Sequence, residues 1–143
     1  LKQVLTRLRG TGTKLLIEVK DPVLYPGIDR RLAQLIRQMD MSEQVEIFSF
    51  DASFIRNMLR TCPQFTFGLL ALGTYDYEEV PGVQVVSVHF INALINAEFL
   101  RGLRRKKYRV YVWTVNNPAV LKRLHEEDID GILTDYPERY TGR

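Results

Sequence analysis

Near the C-terminus, Val110-Tyr-Val-Trp-Thr-Val-Asn116 and Asp130-Gly-Ile-Leu-Thr-Asp135 are two short apolar runs, each ending on polar residues. Between them, residues 118–127 open with a proline and read as a helix. Apolar, β-branched runs joined by an amphipathic helix form a β-α-β unit, and such units build parallel sheets covered on both faces. Polar groups just past the C-terminal ends of those strands are where such folds place their chemistry. Leu15-Leu-Ile-Glu-Val-Lys20 repeats the pattern and sets a carboxylate and an ammonium in an otherwise apolar strand.

The same alternation runs along the whole chain. Strands are predicted at 15–20, 45–50, 65–72, 84–88, 109–115 and 130–135. Helices are predicted at 1–9, 29–39, 97–107 and 118–127, with another, capped by Asp51, running to about residue 60. The loop 73–82, carrying Tyr75, Asp76, Tyr77, Glu78 and Glu79, is either a lid or a plain surface loop. Six strands suit an open doubly wound sheet or a (β/α)8 barrel. No glycine-rich phosphate loop follows a strand, which argues against the dinucleotide-binding version of the open sheet. The spacing leaves the two architectures open.

Composition narrows the class. A chain of 143 residues is one domain's worth, and 45% hydrophobic with 26% charged is ordinary for a globular protein. Its one cysteine, Cys62, excludes an internal disulfide and a multi-cysteine zinc site. No apolar run approaches the ~20 residues that span a bilayer. The net charge of +3 is dispersed except at Arg104-Arg-Lys-Lys107, read as the solvated C-terminal end of a helix, and no nucleic-acid partner is expected.

Candidate site residues follow from position. Glu18 in an apolar strand is expected to be buried, and a buried carboxylate must be paired, metal-bound or protonated. Lys20 lies two residues on, on the same side of the strand, so an ion pair between them is the plain alternative. Trp113 is either core or pocket wall. Asn116 is read as the cap of the helix that begins near Pro118, and Asp135 as a turn residue. Ser49 ends a strand, with its hydroxyl toward the mouth or away from it. His89 follows the fourth strand, and His125, beside Glu126 and Glu127, is a surface residue.

Taken in order, Leu16-Ile-Glu-Val-Lys20, Ser49-Phe-Asp51, Leu59-Arg60, Gly68-Leu-Leu70, Trp113-Thr-Val-Asn116 and Asp130-Gly-Ile-Leu-Thr-Asp-Tyr-Pro137 resemble the glycerophosphodiester phosphodiesterase family. The resemblance implies an α/β fold, a partial (β/α)8 TIM barrel holding strands three to eight. Residues 1–143 would be the C-terminal portion of one such domain. It implies a metal-dependent hydrolysis of glycerophosphodiesters to glycerol 3-phosphate and an alcohol, with Ca²⁺ or Mg²⁺ as the cation. Glu18 would then be a metal ligand, and Lys20 and Trp113 would bind substrate. Ser49, His89 and Asn116 are further candidates.

The family's upstream His-Arg-Gly and Glu-x-Asp motifs and its second catalytic histidine have no counterpart here; the two histidines present are His89 and His125. The segment alone is therefore expected to be inactive. Its terminal strands are expected to be open edges prone to self-association. The expected partner is a small glycerophosphodiester, with a membrane involved only through an upstream region; the parent is expected to be cytoplasmic or membrane-anchored. Two alternatives stand beside this reading: a lysophospholipase D-type enzyme acting on lipid-tailed substrates, and a non-catalytic barrel used for binding or scaffolding.

Overall fold

A computed structural model describes residues 1–74 and 78–140. Tyr75, Asp76 and Tyr77, in the loop read from sequence as either a lid or a plain surface loop, lie outside the described residues. Six strands alternate with helices in the order anticipated, which makes the fold class α/β. The chain divides into two compact units. One is Leu1–Leu69 with Glu78–Val83, and the other is Leu70–Tyr77 with Gln84–Arg143.

The first unit contains α1 (Lys2–Leu8), β1 (Leu15–Glu18), α2 (Ile28–Gln38), β2 (Val45–Ser49), α3 (Ala52–Thr61) and most of β3 (Thr66–Ala71). β1 pairs with β2 and β2 with β3, all in parallel. Every residue of β2 is buried, as a parallel strand covered on both faces requires. Asp51 caps α3 as expected, its carboxylate accepting from the Phe54 amide at 2.9 Å. Gly68 stands opposite Phe48 in the β2–β3 register, and the buried phenyl ring lies over it. A Cβ at Gly68 would come within 2.5 Å of Phe48 Cδ1, so only glycine leaves room for the ring.

The second unit contains β4 (Val85–His89), α4 (Phe90–Ile95), α5 (Ala97–Arg105), β5 (Arg109–Trp113), α6 (Pro118–Leu124) and β6 (Gly131–Ile132). β4 pairs with β5 and β5 with β6, again in parallel. Along β5, Val110 and Val112 are buried while Arg109, Tyr111 and Trp113 are half-buried, so the strand has a covered face and an open one. Gly131 repeats the device of Gly68: a Cβ there would meet the Tyr111 ring at 2.9 Å.

Two elements differ from expectation. β6 is two residues long instead of six; beyond it the Asp135 amide bonds to the Asn116 side chain instead of a neighbouring strand, as described below. α4 has no counterpart in the sequence pattern; Phe-Ile-Asn-Ala-Leu-Ile is short and nearly all apolar, so it shows no helical period. The cluster at 104–107 does end a helix. Arg104 pairs with Asp128 at 2.6 Å and with Asp130, tying the end of α5 to the approach to β6. That pairing holds the Asp128 carboxyl below its ordinary range and raises the Arg104 guanidinium.

Candidate active site

In the first unit the site residues sit where β1 and β2 end. Glu18 is the last residue of β1, and Lys20 follows two residues later. Their side chains approach to 3.9 Å, at the long end of an ion pair. The Glu18 side chain is 32% exposed and that of Lys20 76%. The expectation of a buried carboxylate is therefore corrected. Among the described strands β1 pairs with β2 alone, so its end is open and the carboxylate reaches solvent. The long separation leaves the carboxylate loosely held, and an exposed pair of this kind stabilises little.

Ser49 does a different job from the one considered for it. Glu18 stands opposite Phe48 in the ladder, so side-chain alternation puts Ser49 on the other face of the sheet. There it is buried, donating its hydroxyl to the Val19 carbonyl at 2.7 Å and accepting from the Asp51 amide at 3.1 Å. It is a clasp. It fixes the backbone between Glu18 and Lys20 to the start of α3, and the Val19 amide adds a bond to the Phe48 carbonyl at 2.8 Å.

In the second unit Trp113 closes β5, directly opposite His89 at the end of β4. The indole is half-buried and its Nε1 donates to the Ser87 carbonyl at 2.9 Å. His89 meets it edge to face, with ring centroids 5.0 Å apart and planes at 77°, and it also contacts Phe90 at 4.7 Å. Trp113 is thus half-buried and held in one orientation, and its edge N–H is already committed to the backbone. The Trp113–Thr114 peptide bond is cis.

The capping role read for Asn116 belongs to Asn117, whose side chain accepts from the Ala119 amide at 2.8 Å. Pro118 occupies the first helical turn, and that signal points to the residue immediately before it. Asn116 instead latches the segment after β6. Its Oδ1 accepts from the Thr134 hydroxyl at 3.1 Å and the Asp135 amide at 3.0 Å, and its Nδ2 donates to Asp135 Oδ2 at 2.7 Å. Thr134 in turn accepts from the Tyr136 amide, and Arg139 stacks on the Tyr136 ring at 3.8 Å. Sequence reasoning passed over Thr134 and Arg139, which complete this latch. His125 is exposed on the turn after α6.

Among the described residues no group of three or more His, Cys, Asp or Glu side chains comes together to hold a metal ion. Glu18 fits as one oxygen donor to a hard cation; further donors would have to come from elsewhere.

Alternating strands and helices with polar groups at the strands' C-terminal ends define a partial (β/α)8 barrel. Solved structures share that fold. A glycerophosphodiester phosphodiesterase from Parabacteroides distasonis matches with a TM-score of 0.82 at 21% identity, over 96% of this chain and 60% of that one. An Oleispira antarctica phosphodiesterase in complex with the product sn-glycerol-3-phosphate matches with a TM-score of 0.79 at 15% identity, over 97% and 58%. The chain belongs to the glycerophosphoryl diester phosphodiesterase family, whose sequence profile matches residues 1–139. It is 30% identical over 125 residues to the glycerophosphodiester phosphodiesterase of Caldanaerobacter subterraneus, covering 85% of this chain and 51% of that protein. A Bacillus subtilis glycerophosphodiester phosphodiesterase is 26% identical over 152 residues, covering 98% and 52%. The chain spans about half the length of the curated relatives it matches.

Proposed function

We propose that this chain carries part of the active site of a metal-dependent phosphodiesterase that hydrolyses glycerophosphodiesters to glycerol 3-phosphate and an alcohol. The observation that carries the reading is the Glu18–Lys20 pair, loosely joined at 3.9 Å and held at the end of a parallel strand by the Ser49 clasp. Family membership over residues 1–139 supports the reaction class. The relative holding sn-glycerol-3-phosphate supports the product.

In this reading Glu18 supplies one carboxylate oxygen to a Ca²⁺ or Mg²⁺ ion. Such a cation, when bound, neutralises non-bridging phosphate oxygens and lowers the pKa of an attacking hydroxyl or water. Lys20, exposed and two residues further on, sets an ammonium against the negative charge that builds on the phosphodiester. Trp113 offers an aromatic face for the alcohol or glycerol moiety, its tilt fixed by the bond to Ser87 and by the His89 edge. Asn116 keeps the segment after β6 in place and is a positioning residue.

Proton transfer needs a general base and a general acid. His89 packs against Trp113 and Phe90, and His125 lies on a surface turn, so neither is assigned that work. The chain alone is therefore inactive in this reading. The test is release of glycerol 3-phosphate from glycerophosphocholine by two proteins. One is the chain itself; the other is a chimera with the unmatched portion of the Caldanaerobacter relative placed before Leu1. Release by the chimera alone, abolished by chelator, is expected. Equal release by the isolated chain, or release indifferent to chelator, overturns the proposal.

A further inference from the structure

The segment joining β1 to α2 is built unlike the other connections. Pro22–Leu24 forms a single 3-10 turn. Val23, Leu24 and Tyr25 are 81%, 69% and 59% exposed, the first being the most exposed large apolar side chain among the described residues. Such exposure in a slack loop would be unremarkable. This one is braced. Pro22 is buried beneath the turn, and Pro26 follows it. The amides of Leu24, Tyr25 and Ile28 bond back to the carbonyls of Asp21, Pro22 and Tyr25, each at 3.0 Å. Asp21 at φ 44° and Gly27 at φ 79° turn the chain sharply on either side, a conformation that is disfavoured at the aspartate. The backbone therefore holds three apolar side chains out in water on a braced turn.

The geometry points to this turn as a membrane-docking element that inserts Val23, Leu24 and Tyr25 into the headgroup–acyl boundary of a phospholipid bilayer. Two considerations select a lipid surface over a second protein. The three side chains together offer on the order of 400 Å² of surface, about half of the ~800 Å² per partner that a stable protein interface uses. A valine and a leucine with a tyrosine beside them is the composition that favours the bilayer interface, where the phenol hydroxyl stays among headgroups. The charges around the turn permit approach to anionic lipid: Lys20, Arg30 and Arg31 are exposed, against exposed Asp21 and half-buried Asp29.

Val23 and Leu24, the side chains tested, take no part in the phosphodiester chemistry proposed above, although Lys20 is shared by the two readings. The experiment is co-sedimentation of the full chain with phosphatidylcholine vesicles, with and without a minority of phosphatidylglycerol. The expected result is partition into both kinds of vesicle, stronger with phosphatidylglycerol. Val23→Ser with Leu24→Ser should lower it about tenfold or more at an unchanged circular-dichroism melt. A second variant removes dependence on that pair: Leu24→Trp should gain fluorescence that acyl-brominated lipid quenches, over the Trp113 background. Equal partition of the double variant, absence of quenching in the Leu24→Trp variant, or a wild-type dimer in sedimentation equilibrium that the double variant lacks would each overturn the assignment.

Discussion

Ser49→Ala tests whether the end of β1 is held as described. The substitution removes one oxygen and nothing else, yet that oxygen serves two buried or half-buried backbone groups. The Val19 carbonyl loses a donor at 2.7 Å and the Asp51 amide loses an acceptor at 3.1 Å. Ser49 is 1% exposed, so water does not replace the hydroxyl without the strand ends separating. Leaving a buried backbone group unpaired costs about 1–3 kcal/mol, and a half-buried one less, so the sum is about 2–3 kcal/mol. For a chain of this size that is about 6–9 °C in melting temperature. Urea unfolding followed by circular dichroism gives the free energy, and a thermal melt gives the shift. A hydroxyl turned toward the mouth would behave in the opposite way, leaving stability unchanged and altering only substrate binding in the chimera. A melt within about 1 °C of the parent would therefore refute the clasp.

Other substitutions probe the remaining construction. Gly68→Ala should cost about 1–3 kcal/mol by forcing the Phe48 ring aside, and Gly68→Ala with Phe48→Leu should cost less than the two single changes summed; strict additivity in urea unfolding would mean that the ring does not lie over Gly68. Asn117→Ala should cost about 1 kcal/mol as a lost helix cap, whereas Asn116→Ala should speed hydrogen exchange at the Asp135 amide; the reverse assignment of these effects would contradict the latch. Arg104→Gln removes the cause of the depressed Asp128 carboxyl. A carboxyl depressed in the folded state stabilises above its unfolded pKa and loses that contribution as pH falls through the folded value. The melting difference between parent and variant should thus be full above about pH 4 and vanish in stronger acid. A difference independent of pH would mean that the pairing is not what Arg104 contributes.

The strands and long helices were legible because their signal is local. Apolar β-branched runs, an Asp51 cap and a proline at the start of α6 each act through neighbours in sequence. What escaped depends on who stands beside whom. Adjacent asparagines 116 and 117 look alike in sequence, but one caps a helix and the other bonds residues 18 and 19 positions further along. Ser49 reads as a strand-end hydroxyl, and only the register against β1 puts it on the face opposite Glu18. Glu18 looks buried from its apolar neighbours, yet burial depends on having strands on both sides. The roles of Gly68 and Gly131 likewise appear only once a partner strand brings an aromatic ring over each.

Glu18→Gln in the chimera addresses the proposed chemistry most directly, with Ca²⁺ and Mg²⁺ binding by calorimetry measured beside glycerol 3-phosphate release. Cation affinity should fall by about tenfold or more and turnover should be lost, while the cation-free melt stays put because the exposed pair with Lys20 stabilises little. Unchanged cation affinity together with turnover at the parental rate would contradict the account.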